Sequence, residues 1–496
     1  MEDLYKVENL SFTYPGETRP ALEQVSFSIQ AGAFVLVCGA SGSGKSTLLR
    51  CLKNQDPAAG FVGQNPETQL ICDTVYDELA FGIEQTGTEK GLLGEISGYF
   101  GLDRLLDRKT DSLSGGEKQM VNLAAVTALK PNTIILDEPA VSLDPIARNS
   151  FYNMVTRLNR EQGITVILCE HDCQDILGLS DQIILLEKGR CLSSGFDVSL
   201  IDCPLVRLGR LLNAEMIPLR MPALRTLVRK NSSCLRTVTA PPILQGDTVQ
   251  ELKNVYFKYD KNAPYILKGL GLRVRKGALL GIAGGNGSGK TTLLKVMTGI
   301  YKPFSGKCAG VKGRYLSQDP HKAFLLDLVG EDFADYMKRR EILPSELEKF
   351  PEYYELYKLY RHKNIYDISG GELQRLAIYK LLLGGADLLL LDEPTKGLDE
   401  DCKQLLGRVL QDLARRGVAV VLSTHDMEFI GAYCTEAAFL FDGKLTPPGS
   451  AKAFLGDNEF YTTVTVRALR EQPHLKGAVC PEDLYREEAQ ISEASD

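Results

Sequence analysis

The sequence predicts an α/β protein made of two tandem copies of one parallel-sheet domain, and three observations carry that reading. The loop Gly39-Ala-Ser-Gly-Ser-Gly44-Lys45-Ser46 recurs as Gly284-Gly-Asn-Gly-Ser-Gly289-Lys290-Thr291. The two lysines stand 245 positions apart (290 − 45), close to half of the 496-residue chain, and a repeat of that period means two copies of a domain. Uninterrupted apolar runs alternate with helix-like spacers in both halves, as in a parallel sheet covered on both faces.

Each half opens on a β-like stretch, Leu4 to Tyr14 and Glu251 to Tyr259. An apolar strand follows, Ala33-Phe-Val-Leu-Val-Cys38 or Ala278-Leu-Leu-Gly-Ile-Ala283, and leads into the glycine loop and a helix start. Later strands are Thr133 to Leu136, Ile164 to Leu168 and Gln182 to Leu186, matched by Leu388 to Leu391, Val418 to Leu422 and Ala437 to Phe441. Between the halves, Leu205 to Arg236 holds Arg207, Arg210, Arg220, Arg225, Arg229, Lys230 and Arg236 against Glu215 alone, a net of +6. It reads as a solvated helical face, with contact to lipid headgroups or an acidic partner as the alternative. Asn231-Ser-Ser and Ala240-Pro-Pro mark a linker. The expected boundaries are therefore 1–230, a linker at 231–247, and 248–496 with a C-terminal extension whose polar last residues fray.

Composition narrows the class. A net charge of −7 argues against non-specific nucleic-acid binding. Runs such as Leu388 to Leu391 are far shorter than the ~18 residues of a membrane span, and Met1-Glu-Asp is acidic where an export signal is basic. The 12 cysteines contain no Cys-x-x-Cys, which points to reduced thiols in a cytosolic protein. Cys169-Glu-His171-Asp-Cys173 looks like a metal cluster, but its counterpart Ser423-Thr-His425-Asp-Met427 keeps only the histidine, so Cys169 and Cys173 read as packing residues.

Three motifs carry the chemistry. In the glycine loops, backbone N–H groups approach phosphate oxygens at a positive helix start; Lys45 and Lys290 reach the β/γ-phosphates, and Ser46 and Thr291 are placed to ligate Mg2+. Leu136-Asp137-Glu138-Pro139 and Leu391-Asp392-Glu393-Pro394 end apolar strands with adjacent acids, one for the Mg2+ shell and one to polarise an attacking water. Leu113-Ser114-Gly115-Gly116-Glu117-Lys-Gln119 recurs as Ile368-Ser369-Gly370-Gly371-Glu372-Leu-Gln374. Ser-x-x-Glu fits a helix capping box, but capping does not require the glycine pair.

This last motif resembles the signature of the ATP-binding cassette (ABC) ATPases, and the family's remaining elements follow in order. The resemblance implies two P-loop ABC nucleotide-binding domains, each with a parallel-sheet core, a small β-subdomain and a helical subdomain. It assigns ATP binding to Gly39, Ser41, Gly42, Gly44, Lys45, Ser46 and Thr47, and to Gly284, Asn286, Gly287, Gly289, Lys290, Thr291 and Thr292. Tyr14 and Tyr259 match the aromatic stacked on adenine, and Ser114, Gly115, Gly116, Ser369, Gly370 and Gly371 match the signature. Metal ligands are implied at Ser46, Gln64 and Asp137, and at Thr291, Gln318 and Asp392; Gln64 and Gln318 also sense the γ-phosphate. Catalysis is implied at Glu138 and Glu393 with the switch histidines His171 and His425, and Asp144 and Asp399 match the loop that crosses the dimer. ATP would sit between the glycine loop of one half and the signature of the other, making the chain a pseudo-dimer.

A finer resemblance lies in Gln64-Asn-Pro-Glu-Thr-Gln69-Leu with Thr74-Val-Tyr-Asp-Glu-Leu-Ala-Phe-Gly82, and in Phe460 to Thr463 with Ala478 to Asp483. These are similar to energy-coupling factor (ECF) ATPases, which drive vitamin and metal-ion importers. The resemblance implies a peripheral protein on the cytoplasmic face of the membrane, with a transmembrane scaffold subunit and a substrate-binding membrane subunit as partners. It places the partner groove after the glutamine loop, at Asp73, Asp77 and Glu78 and at Asp327, Glu331 and Asp332. Only 18 residues separate Lys45 from Gln64 and 27 separate Lys290 from Gln318, so the β-subdomains are expected to be trimmed. Rival readings are a tandem sugar-importer ATPase, which commonly has one degenerate site, and a soluble ABC translation factor on ribosomes, which would carry a long charged linker. A DNA-repair ABC protein would carry zinc-ligand cysteines.

Overall fold

The computed structural model describes residues 3–86, 91–141, 143–238 and 246–487, and divides into two compact units, Met1–Cys203 and Pro204–Asp496. In the first unit, strands run in the order Gly60–Val62, Thr133–Asp137, Thr165–Cys169, Phe34–Cys38, Gln182–Glu187 and Arg190–Gly195. All neighbours are parallel except the last pair. Phe34–Cys38, Thr133–Asp137 and Thr165–Cys169 are buried at every residue, which is why they read as continuous apolar runs. The opening hairpin of Asp3–Phe12 and Leu22–Gln30 instead alternates, placing Val25, Phe27 and Ile29 over Val35 and Val37 and over Leu48 of the loop helix Lys45–Gln55.

The second unit repeats the plan, with Arg314–Leu316, Leu388–Asp392, Ala419–Ser423, Leu279–Ala283 and Glu436–Phe441 in parallel order and short antiparallel strands at the far edge. Its β-subdomain has a third strand, Ser305–Gly310, paired with Thr248–Phe257. Among the described residues the first unit has only its two-stranded hairpin there. The shorter stretch from Lys45 to Gln64 runs from the loop helix almost directly into Gly60–Val62, leaving no residues for an edge strand. The helical layer holds Val75–Thr86, Gly91–Phe100 and Gly115–Ala128 in the first unit, and Val329–Arg339, Pro351–Tyr360 and Gly370–Leu382 in the second.

The region expected to end the first domain folds with the second. Helix Pro204–Leu211 buries Leu205, Val206 and Leu208, and helix Met221–Asn231 packs on Val464–Leu469. Ser232–Cys234 forms a 3-10 turn, and Leu235–Thr237 pairs antiparallel with Leu484–Arg486. Residues 231–237 are thus built structure instead of linker; Ala240-Pro-Pro and the last residues from 488 lie outside the described residues. The basic stretch is solvated in large part, with Arg210, Arg220, Arg229, Lys230 and Arg236 exposed and Arg207 and Arg225 half-buried, but several of its cations also hold acids. Arg207 pairs with Glu400 at 2.7 Å and Glu482 at 3.0 Å, Arg229 with Glu471 at 2.6 Å, and Arg236 with Glu487 at 2.5 Å, while Arg225 donates to the Arg467 carbonyl. These partners lie roughly 200 or more residues away in sequence, beyond the reach of a local charge count. Among the described residues no helix is long and apolar enough to cross a membrane.

Candidate active sites

Both glycine loops leave the carboxyl end of a central strand and enter a helix, where open parallel sheets place their ligand crevice. Gly44 and Gly289 cap those helices in the left-handed region, at φ 98° and 102°, and a Cβ on Gly44 would lie 2.6 Å from the Ala21 carbonyl oxygen. Lys45 Nζ donates to the carbonyls of Gly39 and Ala40 at 2.7 and 2.9 Å; Lys290 does the same to Gly284 and Gly285 at 2.8 and 3.1 Å. Each lysine is therefore folded back across its own loop, its charge buried where phosphate oxygens would arrive. The hydroxyls of Ser43 and Ser288, at matching positions in the loops, are buried without a hydrogen-bond partner. Two orphaned buried hydroxyls of this kind fit a loop shaped for an anion.

The adjacent acids close on the loops. Ser46 donates to Asp137 at 3.0 Å, and Thr291 to Asp392 at 2.7 Å, so each hydroxyl–carboxylate pair fits a divalent cation. Tyr14 and Tyr259 share hydrogen bonds with Thr47 and Thr292 at 3.0 and 2.8 Å, which fixes the ring edge while the ring remains exposed. Glu138 and Glu393 both have positive φ, 48° and 49°, a strained conformation for glutamate held identically in the two units.

Around these glutamates the units differ. Glu138 receives His171 Nε2 at 2.7 Å and Gln64 Nε2 at 3.2 Å. Glu393 meets His425 Nδ1 at 2.9 Å and Lys290 Nζ at 3.4 Å. Burial raises the Glu393 carboxyl, but His425 and Lys290 outweigh it and hold the group below its ordinary range. Gln318 is exposed and makes no hydrogen bond to Glu393 among the described residues, unlike Gln64 with Glu138. Its loop is held instead by Asp319, which caps His321, whose ring stacks on Tyr366.

The two signature helices also differ. Ser114 and Glu117 form the full capping box, with Ser114 N donating to Glu117 at 2.7 Å. The Ser369 hydroxyl donates to Glu372, which also takes the Tyr360 hydroxyl, but its side chain accepts no N–H of the helix start. Asp144 and Asp399 both cap the helix that follows them.

Several site residues were invisible in the motifs. Ser423 and Tyr315 both donate to Asp392, at 2.7 and 2.9 Å, whereas Cys169 and Phe61 occupy the corresponding places beside Asp137. With fewer donors, burial pushes the Asp137 carboxyl up despite the Ser46 hydroxyl. Glu170 is fully buried, accepts the Ala140 N–H at 3.0 Å, and is pushed up to about 8 by burial, against Arg148. The second unit has a Thr395–Thr424 hydroxyl pair at 2.9 Å there. Gln69 braces the first glutamine loop, accepting from Gly63 N and Asn122 and donating to the Phe61 carbonyl. Cys169 and Cys173 are buried packing residues, with Cys173 Sγ 3.0 Å from Cys38 Sγ.

The family model described as ABC transporter matches residues 22–141 and 267–396, more than half of the chain. The chain belongs to the ABC transporter ATPases. Relatives of this ABC ATPase include a "Putative ABC transporter ATP-binding protein" of Bacillus cereus, 34% identical over 97% of each chain. A second is "Putative HMP/thiamine import ATP-binding protein YkoD" of Bacillus subtilis, 28% identical over 90% of this chain and 92% of that one. Among solved structures, the archaeal ribosome recycling factor aABCE1, in complex with ribosomal stalk protein aP1, is 22% identical with a TM-score of 0.63, covering 95% and 98% of the chains. The structure named RNase-L Inhibitor gives 21% and 0.63, covering 96% and 99%. At such identities the solved structures establish a shared tandem fold and no more.

Proposed function

We propose that this ABC ATPase hydrolyses MgATP to drive a membrane importer of the energy-coupling factor type, carrying a vitamin or metal ion. In this reading it works at the cytoplasmic face of the membrane with a transmembrane scaffold subunit and a substrate-binding membrane subunit. Tyr14 and Tyr259 stack on adenine, and Lys45 and Lys290 turn from their loop carbonyls to the phosphates. Ser46 with Asp137, and Thr291 with Asp392, would hold Mg2+. When bound, that ion neutralises charge developing between the β- and γ-phosphates. Glu138 and Glu393 orient the attacking water and accept its proton, and His171 and His425 hold those carboxylates in place.

The observation that carries the import reading is the surface beyond the first glutamine loop. Ile71, Tyr76 and Phe81 are 67%, 51% and 46% exposed, a run of large apolar side chains on and beside helix Val75–Thr86. Asp73 and Asp77 are exposed beside them, suited to arginines of a partner's cytoplasmic helix. Two groove acids leave the expected set. Glu78 is buried and accepts Ile71 N and Cys72 N; Asp332 is buried, accepts Leu325 N and Leu326 N, and pairs with Lys380. They shape the groove and do not face a partner. The thiamine-import name borne by the Bacillus subtilis relative supports the same reading.

The test is Ile71→Asp with Tyr76→Asp in the full chain. ATP binding by the purified protein should persist while co-purification with membrane proteins is lost. Undiminished co-purification would sink the groove assignment, and co-sedimentation with ribosomes in place of any membrane partner would favour the translation-factor reading.

A further inference from the structure

Arg207 bridges two acids from distant parts of the second unit, Glu400 at 2.7 Å and Glu482 at 3.0 Å, with its side chain 20% exposed. Glu400 is the first residue of helix Glu400–Arg415, directly after the capping Asp399. Lys403 lies one turn on and pairs with Asp426 at 2.6 Å, both side chains largely buried. Asp426 precedes helix Met427–Tyr433 as its cap and follows His425, which meets Glu393 at 2.9 Å. Glu400 thus lies one helical turn from the cation that Asp426 holds. Glu400 feels Lys403 as well as Arg207, and burial already disfavours its charge.

The first unit has only part of this arrangement. Arg148 and Asp172 form the corresponding cation–acid pair at 3.1 Å, but Pro145 stands where the second unit has Glu400. No competing acid sits on that helix start, and none needs a holder.

We infer that Arg207 is a positioning residue for the second site: by holding Glu400, it leaves Lys403 committed to Asp426 and so fixes His425 against Glu393. The inference rests on the assignment of Glu393 and His425 to ATP turnover. Without Arg207, a half-buried carboxylate one helical turn from Lys403 competes for that ammonium, because an uncompensated buried charge draws on the nearest cation. The cap at Asp426 then loosens, and with it the histidine.

The experiment uses the full chain carrying Glu138→Gln, so that turnover reports on Glu393, with amide hydrogen exchange measured alongside. Arg207→Met should speed exchange over residues 424–430 and lower kcat on the order of ten-fold, the scale on which residues that orient a site's ligands act, with KM for ATP unchanged. Adding Glu400→Gln removes the competitor without restoring the tie to Glu482, so it should return both readouts toward parental values. A double variant as slow as Arg207→Met would show that Arg207 merely tethers the segment, and overturns the inference. Faster exchange confined to 204–237 and 480–487, or unchanged turnover, overturns it too. If the Glu138→Gln chain itself has no turnover, the assignment of one glutamate to each site fails, and exchange over 424–430 then decides the inference alone.

Discussion

Gln64 donates its side-chain amide to Glu138 Oε2 at 3.2 Å, while its counterpart Gln318, exposed as Gln64 is, makes no such bond to Glu393 among the described residues. One half of the chain therefore brings its glutamine loop to the acid, and the other brings the loop lysine. The asymmetry arises from the loops themselves. Gln69 braces the first from within, and Asp319 with His321 and Tyr366 holds the second.

Gln64→Ala should cost about 1 kcal/mol of stability in the nucleotide-free chain, the usual value of a partly solvated hydrogen bond. Gln318→Ala should change stability by less than about 0.5 kcal/mol, as surface substitutions do. Urea denaturation of the two variants checks this, and equal losses would contradict the difference between the loops.

Glu170 makes stability depend on pH with a defined sign. Burial, opposed by Arg148 and the Ala140 N–H, raises its carboxyl from 4.5 to about 8. Below the lower value both folded and unfolded chains hold the proton. Between the two values only the folded chain does, so stability falls as pH rises and levels off above about 8. The slope from this group is at most about 1.4 kcal/mol per pH unit. Glu170→Gln removes that loss. Measured by denaturant unfolding, the variant should gain on the parent between about pH 5.5 and about pH 7.5. A constant difference across that range would show that Glu170 does not titrate there.

The chain contains no tryptophan, so each site can carry its own reporter. Tyr14→Trp and Tyr259→Trp place an indole where adenine is proposed to stack, and ATP should quench each. Lys45→Ala should weaken quenching of the first reporter and Lys290→Ala that of the second. Quenching that ignores both lysines would separate these tyrosines from the nucleotide.

What was legible in the sequence was chemistry that needs fixed local spacing. The glycine loops, the adjacent acids and the switch histidines each lie within a few residues of a strand end. The strands announced themselves because Phe34–Cys38 and Leu388–Asp392 are covered on both faces. The place of segment 204–237 in the second unit was not legible because its partners are remote: Leu235–Thr237 pairs with Leu484–Arg486, and Arg207 reaches Glu400 and Glu482. Local composition cannot distinguish an arginine facing water from one awaiting an acid about 200 residues on. Tyr315 escaped for a similar reason, since it reaches Asp392 from a neighbouring strand and its counterpart is a phenylalanine. The capping box is complete at Ser114, whereas at Ser369 the hydroxyl donates to Glu372, shared with a tyrosine hydroxyl from another helix, and accepts no helix N–H.

The central claim, that Glu138 and Glu393 each drive hydrolysis in their own unit, is tested most directly by steady-state ATP turnover of Glu138→Gln, Glu393→Gln and the double variant. A positioned base contributes about 10²–10⁴-fold, so the double variant should fall by that factor while still binding ATP, and each single variant should retain measurable turnover from the intact site. A double variant that hydrolyses ATP at the parental rate would contradict the account.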